Sequence, residues 1–236
     1  MNDMAGNPVV ENFVSCHGIR FPDDPGVISR RIRRALRTEG YENREYEAVR
    51  ALVGPDDVVL ELGAGIGFMS SVAARLCRAR EVQTFEANPA LISYIRSVHD
   101  LNDIKNVTVT NALLGPRARK PVDFHVRKNL LASSMSPLLG DRDGGVVSVE
   151  KVRVLGVNTV LKKLKPTVLI CDIEGGEASL LPAADLSCLN IAIVELHPQW
   201  IGQAGVGAVF EAMRAAGLTY FPKRSNKKVV TFRKGW

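Results

Sequence analysis

The chain has 236 residues, 46% hydrophobic, 24% charged and 6% aromatic, a globular composition rather than a disordered one. A chain of this length buries roughly 70% of its unfolded surface, so neither disulfides nor metals are needed to hold a core, and its apolar runs fall far short of the ~20 residues of a membrane-spanning helix. The net charge of +6 is local: Lys223, Arg224, Lys227, Lys228, Arg233 and Lys234 close the chain without an acid, and without those six the charges balance.

A second basic cluster, Arg30, Arg31, Arg33, Arg34 and Arg37, is followed by Glu39, Glu42, Glu45 and Glu47. Such patches attract phosphates. A solvated face is the commoner reason for them, and no aromatic platform for single strands accompanies these, so a nucleic acid is the alternative partner and not the first. Cys16, Cys77, Cys171 and Cys188 lie far apart with no paired spacing, which predicts reduced thiols. The opening residues show no basic-then-apolar leader, and a cytoplasmic protein is expected.

In chain order, 14–21 reads as a small strand or hairpin and 28–53 as one or two amphipathic helices interrupted at Gly40. Residues 1–53 are therefore expected to form an N-terminal cap and 54–236 the main domain. From 58 onward, short β-rich runs at 58–62, 82–86, 107–111, 122–126, 168–172, 191–195, 220–222 and 229–233 alternate with helical segments. That alternation predicts an α/β fold, a mostly parallel sheet with helices on both faces. Residues 68–80 have helical spacing, Asn88–Pro89 reads as cap plus first turn, and 206–217 reads as a helix ended by Gly217. The last two strands, joined around Ser225–Asn226, predict an antiparallel C-terminal hairpin. The Ser- and Gly-rich stretch 130–147 reads as a long loop beside a site.

Chemistry concentrates at three strand ends. Val-Val-Leu-Glu-Leu-Gly-Ala-Gly-Ile-Gly-Phe at 58–68 runs from a buried strand through Gly63, Gly65 and Gly67 into a helix, where a ligand can approach bare backbone. A dinucleotide fingerprint wants a small residue at 68, where Phe68 stands. The loop is therefore assigned to S-adenosylmethionine, with Glu61 facing its ammonium group and the backbone of Gly63, Ala64, Gly65 and Gly67 lining the methionine portion. Glu86, 19 residues beyond Gly67, suits a ribose diol. Asn111 and Ala112 are candidates for the adenine edge. Cys-Asp-Ile-Glu-Gly-Gly-Glu at 171–177 crowds Asp172, Glu174 and Glu177 at another strand end, which raises carboxyl pKa values unless cations intervene. His197, two residues after Glu195, is a candidate general base.

These motifs, with Phe85-Glu86-Ala87-Asn88-Pro89 and Ser133–Ser134, resemble the FkbM-type S-adenosylmethionine-dependent methyltransferases of the class I Rossmann-like superfamily. The resemblance spans roughly 47–217 and implies a seven-stranded sheet with a reversed seventh strand and O-methylation as the usual reaction. It also implies Asp172 near the methionine end of the cofactor, Ala87 and Asn88 beside it, and Ser134 as a contact. Two positions depart from the family's first motif, Glu61 standing for its Asp and Gly65 for its Asn. The expected reaction is methyl transfer to a hydroxyl of a small molecule, sugar or lipid, with Asp172, Glu174 and His197 as candidate catalytic groups. The alternative is an RNA methyltransferase or RNA-binding protein using the basic C-terminal segment. No metal ligand set is assigned, although the carboxylates leave room for a divalent cation.

Overall fold

The computed structural model describes residues 12–133 and 145–236. The chain opens with a hairpin of β1 (Phe13–Cys16) and β2 (Ile19–Pro22), then the helices α1 (Arg30–Arg37) and α2 (Asn43–Leu52). Strand β3 (Val58–Leu62) leads through the glycine loop into α3 (Phe68–Ser71), which continues as a π-turn over Val72–Leu76. Next come β4 (Glu81–Glu86), α4 (Pro89–Leu101), β5 (Val107–Asn111), β6 (Leu113–Gly115) and β7 (Arg119–Arg127). After β8 (Val146–Gly156) the chain alternates through α5 (Val157–Leu164), β9 (Val168–Cys171), α6 (Glu177–Leu180), β10 (Ile191–Glu195) and α7 (Pro198–Ala215), ending in β11 (Thr219–Tyr220) and β12 (Val229–Arg233).

Seven strands form the main sheet in the order β11-β12-β10-β9-β3-β4-β5. Strands β5, β4, β3, β9 and β10 are parallel, and β12 runs against both β10 and β11. This is the Rossmann-like sheet with a reversed strand expected from the sequence. Its central strands are apolar on both faces. Val59, Ile170 and Ile193 pack with the N-terminal hairpin, α1 and α2 on one side, while Leu60, Leu169 and Val194 pack with α5 and α7 on the other. Two-sided burial is the reason these runs read as continuous rather than alternating. Among the described residues, no helix is long and apolar enough to cross a membrane.

Order reverses between β3 and β9, so the carboxyl ends of these strands open a crevice. The crevice is tightly closed at its base, where Gly63 N–H donates to the Phe85 carbonyl at 2.9 Å and Asp172 N–H to the Leu62 carbonyl at 2.9 Å. Asn88 caps α4 as expected, its side chain accepting from Ala90 N–H at 3.0 Å with Pro89 in the first turn.

Four local expectations are corrected. The run at 122–126 belongs to β7, which leaves the main sheet and pairs with β8 and, through it, β6 in a separate three-stranded sheet. The stretch 130–147 is not loop throughout, since β8 starts at Val146. A single α-helix over 68–80 is replaced by four α-residues and the π-turn, in which Cys77 N–H bonds the Val72 carbonyl five residues back, before Arg78 turns to φ +59°. The strand at 220–222 stops at Tyr220, because Pro222 has no N–H for a ladder and opens a 3₁₀ turn instead.

Candidate active site

A cavity of about 460 Å³ occupies the crevice, within the size range of small-molecule and cofactor sites. Gly63 and Gly65 line its floor, Glu86 and Ala87 the end of β4, and Asp172 and Glu174 the end of β9. The glycines are required by geometry. Gly63 has φ +84°, and a Cβ there would come within 1.8 Å of the Asp172 carbonyl oxygen; Gly65 has φ +53°. At Gly67, φ +79°, the loop turns into α3. Phe68, which broke the dinucleotide pattern, is fully buried in a cluster with Phe21, Tyr41 and Tyr46 and anchors the loop from below.

Glu86 is held by backbone amides. Its carboxylate accepts from Gly65 N–H at 3.0 Å and Asn88 N–H at 2.7 Å. Burial raises its pKa, while backbone amides of Asn88, Gly65, Ala64 and Ala87 pull it back. The acid proposed for ribose recognition is thereby fixed to the same glycine loop that forms the cavity floor.

Several predicted site residues have a different place. Glu61 is 1% exposed and is not among the residues lining the cavity. Neither of its oxygens makes a hydrogen bond, and burial pushes it up to about 8 against the restraint of the flanking Thr84 and Ser70. Asn111 donates to the Glu86 and Ala87 carbonyls, both at 2.9 Å, so it holds the exit of β4 and does not present its amide to the cavity. Asn88 caps α4 and donates to the Leu130 carbonyl at 3.0 Å and Ser133 Oγ at 3.2 Å. Ala112 is on the cavity wall, whereas Ala64 is buried in the loop. Ser134 lies outside the described residues. Its neighbour Ser133 lines the cavity and accepts from Arg127 N–H at 3.0 Å.

Beside the cavity the three predicted catalytic groups do come together. His197 is 2% exposed; its Nδ1 lies 3.2 Å from Glu177 Oε1 and its Nε2 lies 3.3 Å from Glu174 Oε2, 3.6 Å from Asp172 Oδ1 and 3.9 Å from Glu195 Oε1. Burial opposes its charge, yet Glu177, Glu174 and Glu195 prevail and raise its pKa. His197 is thus almost unexposed and ringed by four carboxylates, which favour its charged form. Asp172 is different: 37% of its side chain is exposed, it lines the cavity, and its buried Oδ1 makes no hydrogen bond. Burial and the charges of Glu195, Glu174, Glu42 and Glu45 raise its pKa well above the usual carboxylate range. Asp172, Glu195 and His197 offer ligand atoms all within 4.8 Å of one another, and these are the residues that could hold a divalent cation. Lys228, ion-paired with Glu195, already brings one positive charge to that cluster.

Three features had no clear sequence signal. Tyr41, in the connection between α1 and α2, reaches the cavity, as does Trp200 at the start of α7, and the β6–β8 sheet supplies a wall through Leu113, Phe124 and Val154. Glu42 and Glu45 join the acidic cluster from the N-terminal cap. Only the alternating pattern of 146–156 could have revealed that second sheet.

With this geometry in hand, residues 37–142 match the family model of the TRM5/TYW2 methyltransferase domain. The match is to that family and not to the FkbM-type enzymes, consistent with Gly65 standing where the latter carry Asn. Among solved structures, M. jannaschii TYW2 in complex with AdoMet is 13% identical, with 98% of this chain and 89% of that chain covered at a TM-score of 0.51. Trm5b from Pyrococcus abyssi is 17% identical, with 97% of this chain and 57% of that chain covered at a TM-score of 0.50. A putative transferase from Pyrococcus horikoshii is 11% identical over 94% of this chain and 71% of that chain, at a TM-score of 0.51. These likenesses establish the fold as that of class I methyltransferases. No curated protein matches the sequence.

Proposed function

We propose that this chain is an S-adenosylmethionine-dependent methyltransferase whose methyl acceptor is RNA, with Asp172 as the group that takes the acceptor's proton. The observation that carries the acceptor class is the match of residues 37–142 to the TRM5/TYW2 methyltransferase domain, a family of transfer-RNA methyltransferases. Three features support the cofactor: side-chain-free backbone at Gly63 and Gly65, the acid Glu86 on the cavity wall, which would take the ribose diol, and a buried Asp172 oxygen without a hydrogen bond, which would face the cationic end of the ligand. S-adenosylmethionine supplies an electrophilic methyl on a sulfonium centre.

The chain's own residues then have two tasks, orienting the acceptor and removing its proton. Asp172 lies on the cavity wall with its pKa raised above the ordinary carboxylate value by burial and the neighbouring acids, which makes its ionised form a stronger proton acceptor than a surface carboxylate. Glu174 lines the same wall, and His197 Nε2 lies behind both carboxylates at 3.6 and 3.3 Å. Tyr41 and Trp200 give aromatic faces against which a base can stack.

The test has two arms. Calorimetric titration should give micromolar binding of S-adenosylmethionine and S-adenosylhomocysteine and none of NAD. Labelled-methyl transfer should then appear in the RNA fraction of a cell extract. Label confined to small hydroxyl-bearing compounds would restore the O-methylation reading, and absence of cofactor binding by folded protein would remove both.

A further inference from the structure

The RNA alternative read from the sequence placed the contact on the C-terminal cations, but the structure uses part of that segment internally. Lys228 is ion-paired with Glu195 beside the cavity. A denser exposed cationic face lies on α1. Five of the eight residues of α1 are arginines, with no acid in its first turn. Arg33 is spent on Asp23, its Nε and Nη2 donating to the carboxylate at 2.6–3.0 Å. Arg30, Arg31, Arg34 and Arg37 are exposed and make no side-chain hydrogen bond or ion pair with any described residue.

This arrangement costs the folded chain stability. Arg30–Arg34, Arg31–Arg34 and Arg34–Arg37 are like-charge neighbours three or four apart, and each pair is destabilising. Arg30 and Arg31 also put cations at the helix N-terminus, against its dipole. An external polyanion relieves both terms. The face is also placed for catalysis: Arg30, Arg31 and Arg34 surround a surface concavity that includes Thr38 and Gly40, and the next residue, Tyr41, is on the wall of the cofactor cavity.

Building on the RNA-methyltransferase reading, we infer that the Arg30, Arg31, Arg34 and Arg37 face of α1 is the phosphate-backbone docking surface that delivers RNA to the cavity mouth at Tyr41. It positions and does not specify, because arginines meeting phosphates carry no sequence information.

The experiment compares three full-length proteins: wild type, R30Q/R31Q/R34Q/R37Q, and a hairpin variant K223Q/R224Q/K227Q. Binding of labelled unfractionated transfer RNA is followed by anisotropy across a salt series. At about 100 mM salt the α1 variant should bind at least tenfold more weakly, and its log–log salt slope should fall by about 3. Its Tm and its calorimetric affinity for S-adenosylmethionine should equal those of wild type, and the hairpin variant should bind RNA as wild type does. Loss in the hairpin variant with the α1 variant unchanged overturns the inference and leaves RNA methylation standing. Wild type that binds no RNA overturns both. Wild type that binds phosphatidylglycerol vesicles through α1 but not RNA assigns the face to a membrane and overturns the inference as well.

Discussion

A single oxygen, Oε1 of Glu177, accepts the His197 backbone N–H at 2.8 Å and faces the ring Nδ1 of the same residue at 3.2 Å. This double contact sets the orientation of the imidazole, so Nε2 meets Asp172, Glu174 and Glu195. A carboxylate on one ring nitrogen also favours the charged ring. Glu177→Gln should therefore lower the His197 pKa, read directly from the ring resonances in an NMR pH titration. A pKa that stays in place or rises would show that the other carboxylates alone hold the charge.

Gly63 and the Asp172 carbonyl leave no room for a side chain. Gly63→Ala places a Cβ within 1.8 Å of backbone at φ +84°, so the carboxyl ends of β3 and β9 must separate. The expected cost is at least ~2 kcal/mol, or roughly 4–8 °C in Tm for a chain of this size, with loss of cofactor binding. Calorimetry and thermal melting check this; a variant with wild-type Tm and affinity would show that the strand ends are more pliable than their contacts imply.

Removing Glu86 should act on the cofactor more than on the fold. Glu86→Ala frees Gly65 N–H and Asn88 N–H, the two donors its carboxylate now engages. The affinity for S-adenosylmethionine should fall at least tenfold, about 1.4 kcal/mol, and Glu86→Gln should lose less. Unchanged affinity in the alanine variant would take Glu86 out of the site.

Stability should decline from acid toward alkaline pH. Burial pushes Glu42 and Glu61 up to about 8 and Glu45 up to about 7, whereas in the unfolded chain such groups titrate near 4.3. For an acid with a raised folded pKa the native state binds the extra proton, so stability is whole below ~4.3 and is lost as pH rises through 7 to 8. Urea midpoints measured from about pH 5 to 8.5 should therefore fall, and Glu61→Gln should flatten part of that fall. A midpoint that is constant or rises across this window would mean that these acids are ionised at little cost.

Much of the fold was readable because its central strands are apolar on both faces and its punctuation is chemical. The runs at 58–62, 107–111, 191–195 and 229–233 end where β3, β5, β10 and β12 end, and the Asn88–Pro89 cap is where the sequence puts it. The second sheet was hidden. Its strand β8 exposes most of its first half, so the pattern lacks the apolar density that marked the others. The glycine loop was legible for a similar reason, since glycines at 63, 65 and 67 are demanded by their positive φ angles. The internal bonds of Asn111 and Asn88 could not be read from the sequence, because a side-chain amide near a site looks the same whether it faces a ligand or a carbonyl.

Sequence alone determined the layered α/β architecture, the terminal hairpin, the glycine floor and the acids at 86 and 172, all set by local periodicity and backbone need. Tertiary structure decided which charges meet. Glu177 arrives from α6 and raises the pKa of buried His197, Glu42 and Glu45 arrive from the N-terminal cap and raise that of Asp172 on the cavity wall, and Lys228 from the terminal hairpin pairs with Glu195. Ionisation depends on the sum of charges and on the water excluded around a group, and residues more than 100 positions apart supply that sum only once the chain has folded.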